Sequence, residues 1–263
     1  MNIVVCIKQV PDTTEVKIDP KTNTLIREGV ASILNPFDAY ALEEGVQIKE
    51  KLGGKVTALT MGPPQAEEVL REAIAVGADE GILISDPAFA GADTLATSHT
   101  LARAIQKIGA VDLVLCGKQA IDGDTAQVGP GIAVHLDLPQ IIFVRKIREI
   151  TAEKVIAERM VEEGIEVVES SLPVLISVVK DINTPRLPSL RGKMAAKKAE
   201  IPVWKPGDLE IDPEKVGLKG SPTWVTKVFT PPAKAGGEIF EGEPAEVVER
   251  FVKALQEQEI LPG

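Results

Sequence analysis

The 263-residue chain predicts an α/β fold: a parallel, doubly wound sheet with added antiparallel strands and a C-terminal arm. Three observations carry this. Apolar runs of strand length alternate with stretches of helical length through the first half, the pattern of βαβ units. Those runs are continuous rather than alternating, as in strands covered on both faces. Gly or Gly-Pro pairs stand where the elements should stop: Gly53-Gly54, Gly62-Pro63-Pro64, Gly77 and Gly109.

In order, Asn2 to Ile7 reads as a strand. Two short alternating runs, Lys17 to Arg27, flank Asp19-Pro20-Lys21-Thr22-Asn23 and predict a hairpin excursion. Asn35-Pro36 reads as an N-cap with proline at the first helical position, opening a helix to Leu52. Val56 to Met61 is a strand, Glu67 to Val76 a helix, Gly81 to Ser85 a strand, Thr94 to Ile108 a helix and Val111 to Cys116 a strand. The character changes after Leu138-Pro139: Ile141 to Ile150, Lys154 to Met160 and Ile165 to Glu169 read as antiparallel strands, and Leu172 to Val179 as a further buried strand. From Asp181 periodicity fades until an amphipathic helix near Ala245 to Gln256. The division expected is an α/β domain over 1–180 and a partner-binding loop and arm over 181–263, since a tail holding Trp204 and Trp224 should pack on something.

Composition narrows the function. A net charge of −10 and 44% hydrophobic residues suit a cytoplasmic globular protein and oppose nucleic-acid binding, which needs basic surface. No apolar run approaches the ~18 residues of a membrane span, so no membrane insertion is expected. Cys6 and Cys116 each close an apolar run without a CxxC pair and read as buried thiols. His99 and His135 sit singly in helical stretches, and nothing resembles a metal set or a catalytic triad.

One segment points to a ligand. Gly117 to Gly131, GKQAIDGDTAQVGPG, leaves a strand and enters a helix. Such a junction gathers unpaired N–H groups and the positive end of a helix dipole, which suits phosphate. It is neither a Walker A loop nor GxGxxG. Ligands of open α/β sheets lie beyond the carboxyl strand ends, where strand order switches. That rule gathers Cys6 to Thr13, Asn35 to Asp38, Met61 and Gly117 to Val128 into one nucleotide site. Carboxylates repel phosphate, so Asp122 and Asp124 should cap the helix or hold ribose, while the Gly123, Thr125 and Ala126 amides hold phosphates. Lys118 supplies countercharge or is simply solvated. Pro130 requires that the helix start late or be kinked.

Several motifs in this order resemble the beta subunit of electron transfer flavoproteins over nearly the whole chain. They are Val5-Cys6-Ile7-Lys8, Asn35-Pro36-Phe37, Gly117-Lys118-Gln119-Ala120-Ile121-Asp122 with Gln127, Leu172-Pro173, Asn183-Thr184-Pro185-Arg186 and Ala196-Lys197-Lys198. The resemblance implies a heterodimer with an alpha subunit that carries a shuttling FAD. It implies that this chain holds either a structural AMP or, in electron-bifurcating members, a second FAD. Within the family, Lys8-Gln9-Val10-Pro11-Asp12-Thr13 resembles the bifurcating group, and a flavin ring should then lie toward Val10 to Thr13. NADH would be the donor and ferredoxin or flavodoxin the low-potential acceptor, making the chain an electron carrier and, if bifurcating, an NADH-oxidising subunit. The resemblance also implies that Arg186 to Lys198 docks acyl-CoA dehydrogenases through Leu190, flanked by Arg186, Arg191, Lys193, Lys197 and Lys198. Arg191-Gly192 departs from the family pattern.

Overall fold

The computed structural model describes residues 1–12, 31–227 and 236–261, together with the backbone of 17–18 and 25–26. Two compact units are present, Met1–Thr226 and Lys227–Gly263.

The first unit is organised by a nine-stranded mixed sheet with flanking helices. Its elements begin with β1 (Asn2–Cys6), a small pair β2 (Gln9–Pro11) and β5 (Ser32–Leu34), and between them β3 (Lys17–Ile18) and β4 (Leu25–Ile26). The expected hairpin is therefore present as an antiparallel pair, Lys17 opposite Ile26, and its turn lies outside the described residues. There follow α1 (Pro36–Leu52), β6 (Lys55–Met61), α2 (Glu67–Val76), β7 (Glu80–Ile84), α3 (Thr94–Ile108), β8 (Leu113–Gly117) and α4 (Val128–Leu136). Next come β9 (Gln140–Ile150), β10 (Lys154–Val161), β11 (Gly164–Ser171), β12 (Val174–Val178), α5 (Leu190–Lys198) and β13 (Val203–Trp204).

Strand order is β11-β10-β9-β12-β8-β1-β6-β7-β13. From β9 to β13 every neighbouring pair is parallel, while β9, β10 and β11 form the antiparallel meander that the second half predicted. After β1 the chain steps outward to β6 and β7, then returns to lay β8 on the other side of β1. The order reverses between β1 and β8. Alternate side chains of the parallel strands feed two cores: Ile3 and Val5 meet α1 and α2 on one face, Val4 and Cys6 meet α3 and α4 on the other. This double burial explains the continuous apolar runs.

Helix boundaries follow local chemistry. Asp93 caps α3, accepting from the amides of Leu95 and Ala96 at 3.0 Å each. Gly77 and Gly109 close α2 and α3 at positive φ. The α4 helix starts at Val128, which puts Pro130 in its first turn, where no amide hydrogen is missed. The late start was the correct alternative. Gly129 lets this helix approach β8, since a Cβ there would fall 2.7 Å from Cys116 Sγ.

Residues 181–226 run over the first unit. Asn183 donates through Nδ2 to Tyr40 O and Glu44 Oε2, at 3.0 and 2.9 Å. Strand β13 extends the sheet beside β7. Helix α5 was not foreseen in the sequence. Ser189 caps it by accepting from Gly192 N at 2.9 Å, Ala196 anchors it in the core, and Gly192 lies against the Ala75 carbonyl of α2. In the second unit, α6 (Pro244–Glu257) carries the amphipathic pattern read near 245–256, with Phe251 edge-on to Phe240. No helix among the described residues is long and apolar enough to cross a membrane.

Candidate functional site

The reversal of strand order brings the carboxyl ends of β1 and β8 side by side, in register at Cys6 and Cys116. The first turn of α1 lies between them. Asp38 reaches both ends: its Oδ2 accepts from Lys8 N at 2.8 Å and its Oδ1 from Gly117 N at 3.1 Å. Gly117 must be glycine here, because a Cβ would fall 2.6 Å from Phe37. Asn35 is buried and reaches the same loop, donating to Gln119 O at 2.9 Å and accepting from Ile121 N at 3.2 Å. Asn35 stands at the N-cap position, as expected, and its carbonyl accepts from Asp38 N and Ala39 N, but its side chain makes no capping bond. The amide chemistry that suits Asn to a cap is spent on a distant strand end.

Beyond Gly117 the loop is held by a few contacts. Lys118 N donates to Val178 O at 2.8 Å, and its ammonium lies 5.5 Å from the centroid of the Phe143 ring. Asp122 pairs with Lys8, with Nζ 2.6 Å from Oδ1. Asp124 accepts from Gln119 Nε2 at 2.6 Å. Neither aspartate caps α4, so that part of the expectation is corrected: the helix begins too late for their side chains to serve it. Asp124 and Ala126 have φ of 51° and 53°, left-handed values of the kind that alternate with right-handed ones in anion-binding nests. Among the described residues, the amides of Gly123, Thr125 and Ala126 have no partner within the chain. Gly123 is open on its Cβ side, with nothing within 4 Å. Gln127, the residue preceding α4, accepts from Thr94 Oγ1 at 2.9 Å.

The other expected segments reach the same edge of the sheet. Ile7 N donates to Leu59 O at 2.9 Å, so Met61, two residues further along β6, ends beside the start of the Lys8 segment. Gln9, Val10 and Pro11 form β2 against Leu34, Ile33 and Ser32, and Asp12 N donates to Ala31 O at 2.8 Å. Lys8 to Asp12 therefore stands off the main sheet as part of a small ladder. Thr13 lies outside the described residues. Phe37, Lys118, Phe143, Met160 and Val179 line a cleft of about 460 Å³ beside the loop. Sequence reading missed Phe143, which a β-bulge places here at φ 61° with its amide on Ser177 Oγ. An aromatic within a strand carries no signal of that bulge.

Electrostatics follow burial. Burial pushes the Asp38 carboxyl up to about 7, against the lowering effect of its bonds to Asn35 and the two amides. Burial, then the charge of Asp38, pushes the Cys6 thiol up to about 12, and Cys116 is raised likewise. Both are buried free thiols, as expected, and inert as nucleophiles. His99 and His135 pack edge to face, ring centroids 5.1 Å apart, and burial lowers His99. Among the described residues no cluster could hold a metal.

The segment from Arg186 to Lys198 lies elsewhere, across α1 and α2. Arg186 is held by the chain itself: its guanidinium grips Glu43 and Glu50. Leu190 is 77% exposed, and Arg191, Lys193, Lys197 and Lys198 follow it along α5 as exposed cations. Arg71 fixes the end of α5 through the carbonyls of Ala196 and Ala199.

Known proteins share this chain's whole pattern. The model of the electron transfer flavoprotein domain matches residues 22–209. The electron transfer flavoprotein subunit beta of Thermoanaerobacterium thermosaccharolyticum is 54% identical over 262 residues, spanning 99% of this chain and 100% of that one. The caffeyl-CoA reductase-Etf complex subunit CarD of Acetobacterium woodii is 54% identical over 263 residues, with the same coverage of both chains. Protein FixA of Azotobacter vinelandii is 48% identical over 253 residues, spanning 94% of this chain and 90% of its own. The chain therefore belongs to the electron transfer flavoprotein family, among its beta subunits.

Proposed function

We propose that this chain is the beta subunit of a heterodimeric, electron-bifurcating flavoprotein. Its FAD, when bound, would accept a hydride from NADH and send one electron to the alpha-subunit FAD, toward an acyl-CoA dehydrogenase, and the other to ferredoxin or flavodoxin. The observation carrying the nucleotide part is the loop at the strand-order reversal, with three unpartnered amides and left-handed residues at 124 and 126. The protein would supply binding and orientation, leaving redox chemistry to the cofactor. The Gly123, Thr125 and Ala126 amides would hold phosphates, with Asn35, Phe37 and Met61 around the adenosine. Lys8 holds Asp122 away from the anion, and Lys118, over Phe143, adds positive potential. The bifurcating part is supported by the Lys8 to Asp12 segment, which resembles that of the bifurcating group.

The second reading is a conventional electron-transfer subunit with structural AMP, favoured by a loop whose described features need only one phosphate group. Counting cofactors in the protein purified without added FAD separates them. Two flavins per heterodimer support bifurcation, and one flavin with one AMP refutes it.

The partner reading is that residues 181–263 serve association and 1–180 hold the nucleotide. Leu190 and the cations Arg191, Lys193, Lys197 and Lys198 would meet the dehydrogenase, apolar burial giving affinity and charge steering encounter. The compartment proposed is the cytoplasm.

A further inference from the structure

Asp38 is the third residue of α1, and its side chain is nearly fully buried. Each of its oxygens accepts one main-chain amide, Lys8 N on β1's side and Gly117 N on β8's. These two strand ends lie on opposite sides of the order reversal, and their chains diverge immediately beyond it. Among the described residues the β1–β8 ladder ends at Cys6 and Cys116: Lys8 leads into β2, while Lys118 N donates to Val178 O and continues the ladder of β8 with β12 only. A third element is needed to hold them together, and α1 provides it.

We infer that Asp38 is a positioning residue for the nucleotide loop, clamping the ends of β1 and β8 through their amides without touching the ligand. The inference rests on the reading of 117–127 as the phosphate site. The clamp reaches the loop by two routes. Gly117 begins it, and Lys8, whose amide Asp38 holds, carries the ammonium that restrains Asp122. Asn35, one turn earlier, fixes Gln119 and Ile121 in the same way. The loop is thus shaped from beneath by two side chains of one helix start, leaving the upper amides for the ligand.

The charged and titratable groups around this carboxylate are few. Lys8 favours its ionised form, and the Cys6 and Cys116 thiols stay neutral under burial. An ionised carboxylate is acceptor-only and serves both amides, whereas a protonated one diverts an oxygen to an O–H. Burial nevertheless makes ionisation costlier in the clamp than in an opened loop, so the clamp weakens as pH rises toward about 7.

The test uses the full-length chain as wild type, Asp38→Asn and, should that variant fail to fold, Asp38→Ser. Hydrogen exchange of the peptide spanning 117–127 is measured without nucleotide, with peptides from α3 as an internal reference. Loss of one acceptor should speed exchange in the loop by about tenfold or more and leave α3 unchanged. AMP affinity, read by calorimetry, should fall by a similar factor. From about pH 5 to about pH 7, intrinsic-rate-corrected protection of the loop should fall in the wild type and stay flat in the variant. Unchanged loop exchange in the variant overturns the inference, as does a loss of protection spread evenly over α3. Failure of wild-type protein to bind AMP refutes the nucleotide reading instead, while the exchange comparison still decides the role of Asp38.

Discussion

Arg186→Ala separates an anchoring role for this residue from a docking one. The guanidinium donates to Glu43 through Nε at 2.8 Å and Nη2 at 3.0 Å, and to Glu50 through Nη2 at 2.9 Å. The two acids differ in surroundings: the Glu43 side chain is 3% exposed, that of Glu50 53%. Removing one member of a buried pair costs about 3–5 kcal/mol. Arg186 itself is 34% exposed, so water replaces part of what is lost. Glu43 also keeps Gln47 Nε2 and the Arg186 amide, which brings its share to roughly 2 kcal/mol. The exposed Glu50 pair adds about 0–1 kcal/mol. A loss of about 2–3 kcal/mol corresponds to a fall in Tm of roughly 4–12 °C for a unit of this size. Burial raises the Glu43 carboxyl, but the bonds from Arg186 and Gln47 outweigh it and hold the group below the usual carboxylate range. A depressed acid contributes stability above its unfolded value that is lost as pH falls through the folded one. The gap between wild type and variant should thus be full at neutral pH and close below about pH 4. Urea titration at both pH values reads it, with Arg186→Lys as a control that keeps charge without the two-pronged geometry. A variant as stable as wild type that transfers electrons poorly to the dehydrogenase would refute the anchoring argument and return Arg186 to the docking surface.

Three further outcomes are expected. Leu190→Ala should weaken transfer to the dehydrogenase by about 1–2 kcal/mol of binding with cofactor content and Tm unchanged; loss of the alpha subunit on purification would mean that the leucine packs there instead. Gly123→Val should leave stability within about 0.5 kcal/mol, because nothing in the chain lies within 4 Å of its Cβ position, yet release the nucleotide; full occupancy in the purified variant rejects the site. Gly129→Val forces a branched side chain toward Cys116 Sγ, 2.7 Å from the Cβ position, and should cost about 1–3 kcal/mol of stability through overpacking; an unchanged chemical-denaturation midpoint would show that α4 can move away freely.

The parts of this molecule that were legible in its sequence are those whose physics is local. A buried parallel strand declares itself as an unbroken apolar run, and Gly77 and Gly109 end helices by backbone freedom alone, so the alternation and several boundaries, Thr94 to Ile108 among them, could be read directly. The convergence of the proposed site's segments was legible for the same reason. It follows from strand-to-helix junctions and from the rule that ligands gather where strand order reverses. Assignments of single side chains fared differently. Asn35, Asp122 and Asp124 are all good capping residues, and each spends its polar atoms on a partner elsewhere: the Gln119 loop, Lys8 and Gln119. An Asn before Pro is compatible with both roles, and only the fold brings a strand end 84 residues away within 2.9 Å of it. Helix α5 shows the complementary failure. Its one buried side chain is Ala196, so it has no apolar stripe to display. It is held by Ser189, by Arg71 and by contact of Gly192 with a neighbouring carbonyl. A helix that buries so little keeps its outer face for other uses, and the residues left outside are Leu190, Met194 and the lysines. The weak periodicity that hid α5 and the exposed surface that suits it to docking have one cause: this helix is packed through its backbone.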